Sequence, residues 1–340
     1  MPCSFGCAAF SLTNVGNDVI MQLAYANERK DICMDKIHFD VETAGFYGAY
    51  WDCGKPADAA MITMIGDDPE DYMAKGAVKW LHSYGINVLT MSPAKKDYGH
   101  HNYPLERIEK AIAYLKSRGM KKIGIVGAST TGMLALTAAS YYSGITLTLA
   151  LTPSDFIWQG FEQGKRDGCS EWPVEGESTV SKDGKPLPYM PFVYQHPDYW
   201  HKIQESTKGT GNYLCSRVIF DDSEAAGLLK EDMMINVENI NGKLVLIGAE
   251  DDTLWDTARY IRRMDERLKA KPHKCSYEVY IYKYGTHYVF PESLLKKLLS
   301  FAAEPILKFM FKSVKEHPDE CRQTRIDIEK NISRAINEWK

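Results

Sequence analysis

No stretch of the 340 residues reaches the roughly 18 to 20 consecutive apolar residues that a membrane-spanning helix needs, so no span is expected. A basic excess is missing too: 41 Lys and Arg stand against 45 Asp and Glu, a net charge of -4 that offers nucleic acid no overall attraction. The eight cysteines, at 3, 7, 33, 53, 169, 215, 275 and 321, lack paired C-x-x-C spacing and read as reduced thiols. Cys3 and Cys7 have no second ligand pair at zinc-finger spacing, so no metal site is expected. No motif calls for a cofactor. The N-terminal MPCSFGCAAFSLTNVGND has no basic segment ahead of its short apolar stretch, which argues against a secretory signal and for a cytoplasmic protein. Internal repeats and low-complexity tracts are absent as well.

What is present is an ordinary globular composition, 44% hydrophobic and 25% charged, enough for a large core. HFDVE and FYGAYWD, between Lys36 and Ala60, alternate and are aromatic-rich, suggesting a strand pair at a sheet edge. From there apolar strands alternate with helical stripes: strand 59–66, helix 71–85 closed by Gly85, strand 86–93, helix 103–119, strand 121–127, helix 132–142, strand 145–154. Such β-α-β-α alternation predicts an α/β fold with a mostly parallel central sheet, helices on both faces and the ligand site at the strands' carboxyl ends. After Ser154 the alternation fails for about sixty residues, too long for a simple loop in a compact core. We read residues 1–340 as a single domain carrying a lid-like insertion, 155–215, over the active site. Its aromatic residues Phe156, Trp158, Phe161, Trp172, Tyr189, Phe192, Tyr194, Tyr199 and Trp200 either line an acyl pocket or fill the insertion's own core. Regularity returns with KLVLIGAEDD, the helix TARYIRRMDERLKA, the strand YEVYIY and a helical region from Glu292 onward.

The run GIVGASTTGMLALTAAS, from Gly124 to Ser140, places Ser129 in a sharp strand-to-helix turn, with Gly127 and Gly132 as the small neighbours that such a turn needs. The usual five-residue form is GxSxG; here the fifth residue is Thr131 and the glycine follows it. A tight packing turn would have the same appearance, so the partners decide. A serine hydroxyl is a weak nucleophile without a base and an acid to orient that base. His287 lies in the loop after strand 277–282, and Asp251 and Asp252 end strand 243–247, giving the order Ser, Asp, His of α/β-hydrolases. The oxyanion donors are expected from the backbone of Thr130 and of the loop after strand 59–66, at Gly66 or Asp67. Asp67 and Asp68 could equally cap the helix that follows.

YPLERIEKAIAYLK followed by IGIVGAS, then DGKPLPYMPF, DDTLW and THYVFP, in this order, resembles the catalytic domain of the acyl-CoA thioesterase and bile acid-CoA:amino acid N-acyltransferase family, over roughly residues 55 to 310. The resemblance implies an α/β-hydrolase acting on acyl-CoA thioesters through a Ser or Cys nucleophile with Asp and His, which correspond to Ser129, His287 and one of the paired aspartates. Matching Asp-Asp-x-x-Trp to Asp251, Asp252 and Trp255 favours Asp252; counting from Gly248 selects Asp251. The remaining aspartate would be a solvated loop residue or a cap for the helix starting near Thr257. The chain departs from the family in having Thr130 and Thr131 where Lys-Gly is typical, and Thr286 rather than glycine before the histidine. Longer members also carry an N-terminal β-sandwich, for which the fifty or so residues ahead of the first core strand are too few.

These readings make the chain a serine hydrolase that cleaves an acyl thioester or ester through an acyl-enzyme on Ser129. The alternatives are a carboxylesterase or dienelactone-hydrolase-like enzyme without CoA, an acyl-CoA:amine N-acyltransferase, and a non-catalytic binding protein. Serine at the elbow is associated within the family with hydrolysis, and cysteine with transfer. Lys95, Lys96, His100, His101 and Arg107 would offer charge to CoA phosphates, or form a solvated loop and helix start. The C-terminal CRQTRIDIEKNISRAINEWK, with Ile326, Ile328, Ile332, Ile336 and Trp339, predicts an amphipathic helix docked on the body, with a homodimer contact as the alternative.

Overall fold

Five-residue strands such as Ala59–Thr63 and Asn87–Met91 are buried at every position, which requires cover on both faces of the sheet they form. The computed structural model describes residues 36–65, 68–92, 100–162, 172–299 and 302–340. Its central sheet has eight strands: β1 Lys36–Phe39, β2 Gly48–Trp51, β3 Ala59–Thr63, β4 Asn87–Met91, β5 Lys122–Ala128, β6 Leu147–Leu151, β7 Lys243–Ala249 and β8 Ser276–Tyr282. They lie in the order β1-β2-β4-β3-β5-β6-β7-β8, with β2 antiparallel to both neighbours and every later pairing parallel. Ala128 of β5 pairs with Leu151 of β6, Leu151 with Ile247 of β7, and Ala249 with Tyr282 of β8. The carboxyl ends of four consecutive strands therefore open on one edge, where the connecting loops gather.

Helices cover both faces. On one, α1 (Tyr72–His82) packs against α7 (Glu292–Leu299), which meets α10 (Pro318–Trp339). On the other, α3 (Thr130–Tyr141) and α6 (Thr257–Ala270) share contacts with the turn Val237–Asn239. The helix expected over 103–119 is shorter: α2 spans Glu106–Ser117, and Tyr103–Pro104 is a strand. The Tyr103 N–H donates to Thr179 O at 3.0 Å, and the pair runs parallel to Val180–Lys182. A partner so distant in sequence takes these residues from the helix.

Within 155–215, Gln159–Glu162 pairs antiparallel with Trp172–Ser178, and α4 (Asp198–Thr207) follows, with α5 (Arg217–Ala225) just beyond. Trp158 is fully buried and packs on Phe220 and Trp255, with ring centroids 5.2 and 5.0 Å away. Phe192 likewise touches Phe161, Tyr199 and Phe220. These aromatic residues thus build a shared core with α5 and the segment after β7.

The C-terminal helices α8 (Ala303–Met310), α9 (Lys312–Glu316) and α10 are fastened to the body. Arg325, nearly fully buried, pairs with Glu292 of α7 at 2.8 Å and with Glu304 of α8, and Trp339 Nε1 donates to Thr146 Oγ1 at 2.8 Å. Ile328, Ile332, Ile336 and Trp339 face the core as expected, but Ile326 is exposed. Two residues from Ile328 is about 200° around a helix, the opposite face.

Candidate active site

β5 runs into α3 through Ser129, whose φ of 62° and ψ of -131° lie outside the helical and extended regions. Two glycines permit this turn. A Cβ on Gly127 would sit 2.0 Å from Thr131 O, and one on Gly132 would sit 2.9 Å from Leu151 O. The displaced second glycine is therefore where α3 crosses β6. Ser129 N–H donates to Leu151 O at 2.9 Å, and its carbonyl accepts the N–H groups of Gly132 and Met133, starting the helix. Helix α3 thus begins at Thr130, two residues before the expected start, with its positive end at Ser129.

Thr131 occupies the usual glycine position and uses its side chain there. Its Oγ1 accepts the Ala128 N–H at 3.0 Å and lies 2.8 Å from Ala128 O and 3.2 Å from Met64 O, sharing its one proton between the two carbonyls. The elbow is thereby tied to the segment after β3. Gly66 and Asp67, which the sequence suggested as oxyanion donors, lie outside the described residues; Thr130 is buried at the first turn of α3. The cap of α1 is Asp71, whose carboxylate accepts the Ala74 N–H at 2.8 Å, rather than Asp68. Asp68 instead accepts the Tyr47 hydroxyl and the Glu70 N–H.

At the end of β7 the two aspartates part. Asp252 Oδ2 lies 2.8 Å from His287 Nδ1, and its Oδ1 accepts the Leu254 N–H at 2.9 Å. A carboxylate there fixes Nδ1 as the protonated nitrogen and leaves Nε2 as the acceptor. Asp251 turns the other way: its Oδ1 accepts the N–H groups of Gly285 and Thr286 at 2.9 and 2.7 Å, and its Oδ2 accepts the Ser313 hydroxyl. The helix-cap role offered for the second aspartate does not hold, because Asp256 caps α6 through the Arg259 N–H. Trp255 packs edge-on to His287 with centroids 4.6 Å apart, while its indole N–H donates to Thr152 O. Ser129 Oγ and His287 Nε2 are both buried and have no hydrogen-bond partner among the described residues. The hydroxyl and the imidazole are therefore not hydrogen-bonded to each other in this structure.

The basic cluster proposed for CoA fares differently. Lys95 and Lys96 lie outside the described residues. His100 is buried, and burial lowers its pKa to about 4, so it is neutral at pH 7. His101 pairs with Glu177 at 2.6 Å, and Arg107 lies over the Tyr103 ring. Cys3, Cys7, Cys33 and Cys169 are likewise outside the described residues, whereas Cys53, Cys215, Cys275 and Cys321 are free thiols. Among the described residues no group of His, Cys, Asp and Glu side chains could hold a metal ion, and no helix is long and apolar enough to cross a membrane. An apolar cleft lies beside the Asp252–His287 segments, lined by Tyr213, Leu214, Leu254, Tyr288, Met310 and Phe311. Sequence reasoning did not find it, because its walls come from four separate stretches of chain.

A mostly parallel sheet with helices on both faces and a serine turn, an aspartate and a histidine at successive strand ends define an α/β-hydrolase. The chain belongs to the BAAT / acyl-CoA thioester hydrolase C-terminal family, whose model matches residues 103–293. Among solved structures it resembles EstE1, a thermophilic carboxylesterase cloned from a metagenomic library, at 11% identity and a TM-score of 0.50, covering 94% of this chain and 96% of that one. The Pyrobaculum calidifontis esterase (12% identity, TM-score 0.47, covering 95% and 93%) and the Pyrococcus furiosus esterase Pf2001 (14%, 0.43, 89% and 96%) are also similar. At these identities the likeness concerns the fold. No curated protein sequence matches the chain.

Proposed function

We propose that the chain is a serine hydrolase that cleaves acyl thioesters by way of an acyl-enzyme on Ser129. The observation that carries this reading is the Asp252–His287 contact, with Nε2 of the same imidazole and Ser129 Oγ both buried and unpartnered. In this mechanism His287 Nε2 takes the Ser129 proton as Oγ attacks the thioester carbonyl, and Asp252 stabilises the imidazolium that forms. The oxyanion accepts the Thr130 N–H; the second donor is assigned to Gly66 or Asp67 by sequence position. The imidazolium then protonates the departing thiolate, and His287 deprotonates the water that releases the acid.

The family supports a thioester over an oxygen ester as the preferred substrate. Residues 155–215 act as a lid-like insertion in a single domain, a reading supported by the contact of Trp158 with Trp255, which itself touches His287. A fluorophosphonate probe should label wild-type protein at Ser129 and leave Ser129→Ala unlabelled. Acyl-CoA and p-nitrophenyl ester panels, with and without glycine or taurine as acceptor, then separate thioesterase, esterase and N-acyltransferase. Unchanged turnover of all substrates by Ser129→Ala would remove the nucleophile assignment.

A further inference from the structure

We propose that Asp251, with Ser313 behind it, is a positioning residue that sets the His287 loop. The inference rests on the function proposed above. Its basis is a convergence of two chain segments on residues 284–286, one of them braced by a third. Asp251, two residues beyond β7, accepts two consecutive backbone N–H groups, Gly285 and Thr286, with one carboxylate oxygen. The other oxygen accepts the Ser313 hydroxyl from α9. Thr324 of α10 donates its hydroxyl to Tyr284 O, so the loop is held on its far side by a second C-terminal helix.

The loop needs this restraint because Thr286 has a φ of 58°, a left-handed conformation that a β-branched residue rarely adopts. Charge-assisted hydrogen bonds from its N–H and that of Gly285 stabilise the conformation. Thr286 Oγ1 also accepts the Tyr288 N–H, closing a turn around His287. Gly285 has no room to shift toward the sheet: a Cβ there would meet Ala249 Cβ and Val289 Cγ1 at 3.1 Å. Releasing Thr286 would rotate the peptide that carries His287 and lengthen the Asp252 contact. Small displacements of this kind reduce turnover far more than they reduce binding.

The test uses the full chain and an ester or acyl-CoA that the wild type hydrolyses. Asp251→Ala should lower kcat about 10- to 100-fold with KM within about twofold. Thr286→Gly, which removes the left-handed penalty, should recover part of the loss in the Asp251→Ala background. Ser313→Ala should reproduce the defect more weakly, and Ser313→Thr should restore it. Should Asp251→Ala fail to fold, the Ser313 pair decides alone. Wild-type kcat in Asp251→Ala or Ser313→Ala, or a loss that neither Thr286→Gly nor Ser313→Thr recovers, would overturn the proposal. If the wild type shows neither hydrolysis nor fluorophosphonate labelling, the proposed function fails instead. In that case the low-field proton resonance of His287 Nδ1–H in the variants still reads the positioning directly: its loss supports the proposal and its persistence overturns it.

Discussion

His287 Nδ1 and Asp252 Oδ2 are 2.8 Å apart, and their side chains are 4% and 0% exposed. Water cannot substitute for the carboxylate at such a site, so the tautomer of the imidazole depends on this one contact. Asp252→Asn should therefore lower kcat by roughly 10^3- to 10^4-fold at neutral pH, with little change in KM. Steady-state kinetics on any accepted ester checks it, and a loss below tenfold would assign the acid elsewhere.

Thr131→Val preserves shape but deletes a hydroxyl that serves Ala128 N–H, Ala128 O and Met64 O. The part-buried Ala128 amide left without its acceptor should cost about 1 kcal/mol in urea unfolding. Turnover should fall as well, because the tie to the segment after β3 is lost. Unchanged stability would mean that these groups find other partners.

Met310 is buried in the wall of the apolar cleft. Met310→Trp should overpack this small space and lower stability by about 1–3 kcal/mol in urea unfolding. Unchanged stability would mean that the surrounding walls yield to the larger ring.

Glu238 provides a pH dependence of stability. Burial pushes its carboxyl up, but Arg267 and Lys271 outweigh burial and hold its pKa down to about 2. A depressed carboxyl pKa stabilises the fold above the ordinary value of 4.5, and that contribution disappears as pH falls toward about 2. Glu238→Gln should thus lower Tm at pH 7 by roughly 1–3 °C, and the gap from wild type should close on acidification. A gap of constant size across the titration would show that Glu238 acts through packing alone.

The regular alternation was readable because each strand and helix carries its period locally: α6 begins and ends at Thr257 and Ala270, as the sequence indicates. Ser129, His287 and the paired aspartates were legible from their order at strand ends. The division of labour between Asp251 and Asp252 was not, since adjacent residues in a tight turn point to opposite sides and only the partners distinguish them. Ser313 left no local signal at all, being an ordinary helical serine until α9 is folded back onto the loop. Tyr103–Pro104 misled for the same reason, its strand partner lying at Val180–Lys182. The Thr131 departure was visible as an irregular motif, but its compensation by a side-chain hydroxyl required the carbonyl of Met64.

β6 and β7 are neighbours in register, Leu147 opposite Lys243 and Leu151 opposite Ile247, although a long stretch of chain leaves the sheet between them. To the sheet that stretch is one closed loop, and the entropy of closing a loop grows only slowly with its length. Added length between the two strands therefore costs their pairing little. The stretch is not loose, however: Asp155 pairs with Arg263 at 2.6 Å and Trp158 packs on Trp255, so its first residues are tied to the frame.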